Sequence, residues 1–177
     1  MTEPEIDLAA LDQIQRRVLW LAVRMVDHAN RERAARPAPG GRDAEFSVKV
    51  GGHMASSASM VSIMTALWFG HLGGADKVAV KPHASPVFHA SKYLQGELDR
   101  DDLFRLRAFG GLQSYPSRTK DPDVADFSTG SVGLGVVAPL FAAMTRRYID
   151  AHFESAPHAR FIALVGDPQV KAQLVAN

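Results

Sequence analysis

From Asp7 to about Arg36, the apolar residues Leu8, Leu11, Ile14, Val18, Leu21, Met25 and Val26 recur at steps of three and four, with arginine and aspartate between them. That spacing lines one face of an α-helix. Pro37-Ala38-Pro39-Gly40-Gly41 stops the helix and makes a linker. Phe46 to Val50 alternates apolar and polar, as a short strand does, and Gly51-Gly52-His53 follows. The stretch from Ser56 to His71 is apolar on most sides, through Met60, Val61, Ile63, Met64, Leu67, Trp68 and Phe69. It is expected to be a largely buried helix, closed by Gly73-Gly74. Lys77 to Lys81, with Val78 and Val80, reads as a second strand. Beyond it, Ser85 is placed to cap a helix that has Pro86 in its first turn and runs to about Leu98. A shorter helix is expected from Asp101 to Phe109, a Gly-, Ser-, Pro- and Asp-rich loop from Gly110 to Gly135, and a helix from Val136 to Phe153 with Leu140, Met144, Tyr148 and Ile149 in register. The run Phe161-Ile162-Ala163-Leu164-Val165 ends in Gly166-Asp167 and reads as a buried parallel strand.

Helices alternating with short apolar strands predict an α/β fold, a parallel sheet flanked by helices. Residues 1–44 form its N-terminal helix and linker, and 45–177 the α/β part. Composition narrows the function. A hydrophobic content of 46% over 177 residues can fill a core. A net charge of +1 gives no electrostatic footprint for nucleic acid. The absence of cysteine removes disulfides, thiolate nucleophiles and thiolate metal ligands. The acidic start Met1-Thr2-Glu3-Pro4-Glu5 lacks the order of a signal peptide, and no apolar stretch is long enough to span a bilayer, so the expectation is a soluble cytoplasmic protein without a membrane partner.

Four places could carry chemistry. Ser128-Thr129-Gly130-Ser131-Val132-Gly133-Leu134-Gly135 leads into a helix whose free N–H groups and positive dipole end suit a polar or anionic group. The same glycines serve equally as a plain helix start, and the spacing is not that of a dinucleotide-binding fingerprint. His53 follows two glycines and precedes Ser56, Ser57 and Ser59; it could approach an anion or simply sit in a capping turn. His83 stands in Lys81-Pro82-His83-Ala84-Ser85-Pro86, at the carboxyl end of a strand, where ligands of open α/β sheets bind. A stiff surface turn is the other reading. Asp167 also ends a strand and could ligate Mg²⁺ beside phosphate oxygens, or cap the next element.

Taken together, GGHMASSASMVSIMTALWFGHL, KPHASPVFHASKYLQGEL, GGLQSYPSRTKDPDVADFSTGSVGLG and RFIALVGD, in this order over roughly residues 45 to 167, resemble the diphosphate-binding part of thiamine-diphosphate enzymes of the transketolase type. The nearest likeness is to the homodimeric decarboxylating component of the pyruvate dehydrogenase complex. The resemblance implies an incomplete thiamine-diphosphate-binding fold, with thiamine diphosphate and Mg²⁺ as cofactors and a 2-oxo acid or ketose as substrate. It implies catalytic roles for His53 and His83 along the diphosphate and active centre. Ser56 lies beside the first of these. By the same resemblance, Gly130 and Val132 would meet the aminopyrimidine through backbone groups, Gly133, Leu134 and Gly135 would continue that loop, and Asp167 would be a metal ligand.

Two departures from the family pattern stand out. Lys81 replaces an uncharged polar residue, and Pro168 to Asn177 lacks the acidic stretch that follows Gly-Asp. The family's second cofactor-binding domain, which carries the activating Glu, is not recognisable in the chain. The expectation is therefore a truncated, inactive domain fragment. The alternatives are a non-catalytic or split subunit that pairs with a partner chain supplying the second domain, and a frameshift product. Homodimerisation or pairing is expected in the complete enzyme, and an exposed apolar edge or face in this chain.

Overall fold

The computed structural model describes residues 7–35, 53–122, 125–130, 133–153 and 157–166. The expected strand at Phe46 to Val50 and the residues Val132 and Asp167 lie outside the described residues. Helix α1 (Leu8–Ala35) is followed by α2 (His53–Ala66), β1 (Lys77–Ala79), α3 (Ser85–Leu94), the one-turn α4 (Arg100–Leu103), α5 (Leu134–His152) and β2 (Phe161–Ala163). The strands pair in parallel, with Lys77, Val78 and Ala79 opposite Phe161, Ile162 and Ala163. The Leu164 N–H donates to the Ala79 carbonyl at 2.9 Å and extends the ladder toward the carboxyl ends. This is the parallel α/β arrangement expected from the sequence.

The core forms where α1, α2 and α3 converge on β1. Val18 and Ala22 of α1, Met60, Val61 and Met64 of α2, Val78 and Val80, and Val87 and Phe88 of α3 make one buried cluster with Ala125 and Leu164. A second cluster joins Met25, Val26 and Ala29 to Leu98, Leu103, Leu106 and Leu112. The α1 pattern buries Val18, Met25 and Val26 of its expected face, but Leu8, the first residue of that pattern, is exposed, as is Trp20.

Three local expectations are corrected. Helix α2 is not buried on most sides: Met54 and Ile63 are exposed, and among the described residues it is the Ser57–Met60–Val61–Met64 side that packs on neighbours. It ends in a wider π-helical turn, Leu67–His71, in which the Leu72 N–H donates to the Leu67 carbonyl. Ser85 does not cap α3. A 3₁₀ turn at Pro82–Ala84 runs directly into the helix, so Ser85 is already helical and its hydroxyl donates to the Ser114 carbonyl at 2.6 Å. The helix expected from Asp101 to Phe109 is the single turn α4, started by an Asp99/Asp102 capping box and followed by turns.

Helix α5 packs on both strands with its small side. Gly135 and Pro139 are buried, whereas Leu140, Phe141, Met144 and Tyr148 are each more than half exposed. Small residues let the helix approach the sheet closely, and the large apolar ones face outward.

The start of β2 is pinned to the approach of β1. The Asp76 carboxylate accepts from the Gly73 N–H (2.9 Å), the Arg160 N–H (2.7 Å) and the Arg160 guanidinium (2.6 Å), which also donates to the His71 carbonyl. The Arg160 guanidinium, followed by those backbone donors, holds the Asp76 carboxyl well below the usual carboxylate range. A carboxyl more acidic folded than unfolded adds stability above its unfolded pKa of about 4, and loses it as pH falls toward the folded value. Asp76→Ala is expected to lower stability by roughly 2 kcal/mol at pH 7. It is also expected to flatten the acid side of the stability profile below about pH 4. Urea midpoints at pH 7 and pH 3 for both proteins check this.

Candidate ligand site at the strand ends

The carboxyl ends of β1 and β2 lie side by side, and three loops meet there. After Val80, the chain turns through Lys81 and the 3₁₀ turn that carries His83 at the surface. This turn packs on α2, whose first residue is His53. From β2, Leu164 and Val165 lead to Gly166, next to Asp167.

The loop from 110 to 130 is stitched to the rest of the protein at several points. His89, wholly buried in α3, has Nε2 3.1 Å from the Gln113 carbonyl, beside the Ser85–Ser114 bond. Asp121 gathers the Gln113 and Ser117 N–H groups at 2.6 and 2.7 Å. Asp126 accepts from the Val78 N–H at 2.9 Å and from Lys77 Nζ at 3.0 Å, which fixes the segment to β1. Thr129 donates its N–H to the Pro116 carbonyl at 3.3 Å, so the two arms of the loop run together.

These ties bring two of the sequence candidates to a common residue. The Tyr115 ring lies against His83, centroids 5.6 Å apart, with its hydroxyl 3.4 Å from His83 Nε2. A Cβ added to Gly130 would sit 3.8 Å from Tyr115 Cβ and Cδ2. His83, Tyr115 and Gly130 therefore form one wall. Sequence reasoning did not single out Tyr115, and an aromatic residue within a polar loop was its only signal. Asp121 and Asp126, which hold that loop, gave no signal of spacing at all.

Gly133 takes φ +85° ahead of α5, a left-handed conformation that favours glycine, and its carbonyl accepts the Val136 N–H at 3.0 Å. Leu134 opens α5 with its side chain half exposed. Ser56 sits in the first turn of α2 with a buried hydroxyl, and Thr129 is wholly buried. Neither hydroxyl has a hydrogen-bond partner among the described residues. Such orphaned hydroxyls suit a site that takes a polar ligand. Among the described residues, no three His, Asp or Glu side chains are grouped to hold a metal ion. No described helix is long and apolar enough to cross a membrane.

No family model matches the chain. It is similar to the pyruvate dehydrogenase E1 component of Mycolicibacterium smegmatis, 33% identical over 165 residues, which covers 86% of this chain and 16% of that protein. The protein of the same name from Mycobacterium tuberculosis is 34% identical over 143 residues, 75% of this chain and 14% of its own. That of Cupriavidus necator is 31% identical over 165 residues, 88% and 16%. The likeness runs over most of this chain, which spans about one-sixth of the length of these curated relatives.

Proposed function

We infer that this chain forms the diphosphate-binding side of a thiamine-diphosphate site of the pyruvate dehydrogenase E1 type. The observation that carries this reading is the wall His83–Tyr115–Gly130 at the joined carboxyl ends of β1 and β2, the place where open α/β sheets take ligands. The orphaned hydroxyls of Ser56 and Thr129 fit a polar guest, and the left-handed Gly133 leads into α5. His53 and His83 would line the diphosphate, Gly130 and Val132 would meet the aminopyrimidine ring, and Asp167 would hold Mg²⁺. When bound, thiamine diphosphate would supply the nucleophilic carbon chemistry needed to act on a 2-oxo acid. The work of this chain is to hold the diphosphate, present backbone groups at Gly130 and keep the His83 imidazole against Tyr115.

The 177 residues supply one wall of such a site. With thiamine diphosphate, Mg²⁺ and pyruvate, this polypeptide by itself is expected to give no decarboxylation or carboligation product above background. Robust turnover would refute the half-site reading. The outward apolar face of α5 favours a second version, in which a partner chain covers this protein and completes the site. Restored turnover on mixing with a chain that carries the remaining E1 sequence would distinguish it.

A further inference from the structure

Among the described residues, two of the lysines around the sheet are in ion pairs and one is not. Lys77 reaches Asp126 at 3.0 Å and Lys92 reaches Glu97 at 2.9 Å. Lys81, at the ligand end of β1, makes no ion pair among the described residues, although its side chain is half-buried. Its stem lies across Gly166, three residues past the end of β2. A Cβ built on that glycine would come within 2.8 Å of Lys81 Cε and 3.3 Å of Nζ. Gly166 does not adopt a left-handed φ, so its backbone conformation does not call for glycine. What the missing side chain provides is room for the lysine. The ammonium is thus packed over the strand end immediately before residue 167, two residues from His83. A lysine is a compact point charge suited to a phosphate oxygen, and a cation at a ligand-binding strand end with no ion pair among the described residues is placed to attract anions.

We propose that Lys81, seated on Gly166, is a phosphate-binding cation of this site, with a diphosphate group as its ligand. The proposal rests on the cofactor-site reading above and deepens it, since it assigns part of the diphosphate binding to a side chain of this chain rather than to a metal. It is tested by calorimetric titration of the full chain with inorganic pyrophosphate without metal, at two salt concentrations, and then with thiamine diphosphate. Lys81→Gln is expected to weaken pyrophosphate about tenfold, the loss of one charge-assisted hydrogen bond, and to reduce the salt dependence of binding. Gly166→Ala displaces only the mobile end of Lys81, so it should keep the wild-type melting temperature and weaken pyrophosphate severalfold. Adding Lys81→Gln to it should then cost less than in the wild-type background, because the two changes act on one contact. If thiamine diphosphate shows the same loss, the ligand is the cofactor's diphosphate; if only free pyrophosphate does, it is the inorganic anion. Unchanged pyrophosphate affinity in Lys81→Gln, with wild-type binding intact and lowered by His83→Ala, would overturn the role of Lys81 and leave the cofactor reading standing. Failure of the wild-type chain to bind either compound would overturn both.

Discussion

Replacing Phe88 by alanine is expected to cost about 3–5 kcal/mol of stability, the range for removing a large aromatic side chain from a packed core. Phe88 is 2% exposed and heads the largest fully buried side chains. Its ring meets Trp68 edge-on at 5.8 Å and His89 at 5.5 Å, and Lys92 Nζ lies 5.8 Å from its centroid. It also belongs to the cluster that joins α1, α2 and β1 to α3, so the cavity would open between four elements. The consequence reaches the site, because α3 continues directly from the turn that carries His83, and its His89 and Ser85 anchor the loop that carries Tyr115. Urea denaturation followed by tryptophan fluorescence should show the midpoint fall sharply. A loss below about 1 kcal/mol would mean that Phe88 is not the centre of the core.

The second large effect concerns the outer face of α5. Leu140, Met144 and Tyr148 stand at steps of four and Phe141 lies beside them, so they share one side of the helix. Each is 56–60% exposed, with Leu134, Ile149 and Phe153 also exposed at 39–66%. A contiguous apolar strip of this kind promotes association in water. At micromolar concentration the protein is expected to elute above the mass of a 19.2 kDa monomer. Phe141→Asp combined with Met144→Asp should return it to a monomer without loss of helix content, since neither side chain packs in the core. Size-exclusion chromatography with light scattering decides this, and a wild-type monomer at high concentration would contradict it.

The parts of the fold that follow a period were legible in the sequence. The steps of three and four placed α1 and α5 to within two residues, and the two apolar runs gave the two strands. Periodicity says less about which face meets the sheet. In α5 the large residues set the pattern, but close approach to a parallel strand pair selected Gly135 and Pro139. Ser85-Pro86 carried the usual signature of a helix start; the 3₁₀ turn pre-empted it, and the hydroxyl was left to a carbonyl 29 residues away. The candidate site was partly legible. His83 and Gly130 were marked by strand end and glycine spacing, while Tyr115, which joins them, and Asp126, which ties their loop to β1, act through contacts 32 and 48 residues apart in the chain. No local rule reaches that far. The likeness to pyruvate dehydrogenase E1 components came from four segments read together, and none of them carried it alone.

The central claim is that the strand ends and their loops bind the diphosphate portion of thiamine diphosphate. Titration calorimetry of the chain with thiamine diphosphate and with thiamine, each in the presence of Mg²⁺, tests it most directly. The expected result is saturable binding of thiamine diphosphate, weakened by His83→Ala, and no measurable binding of thiamine. Equal binding of the two compounds, or no heat from either, would contradict it.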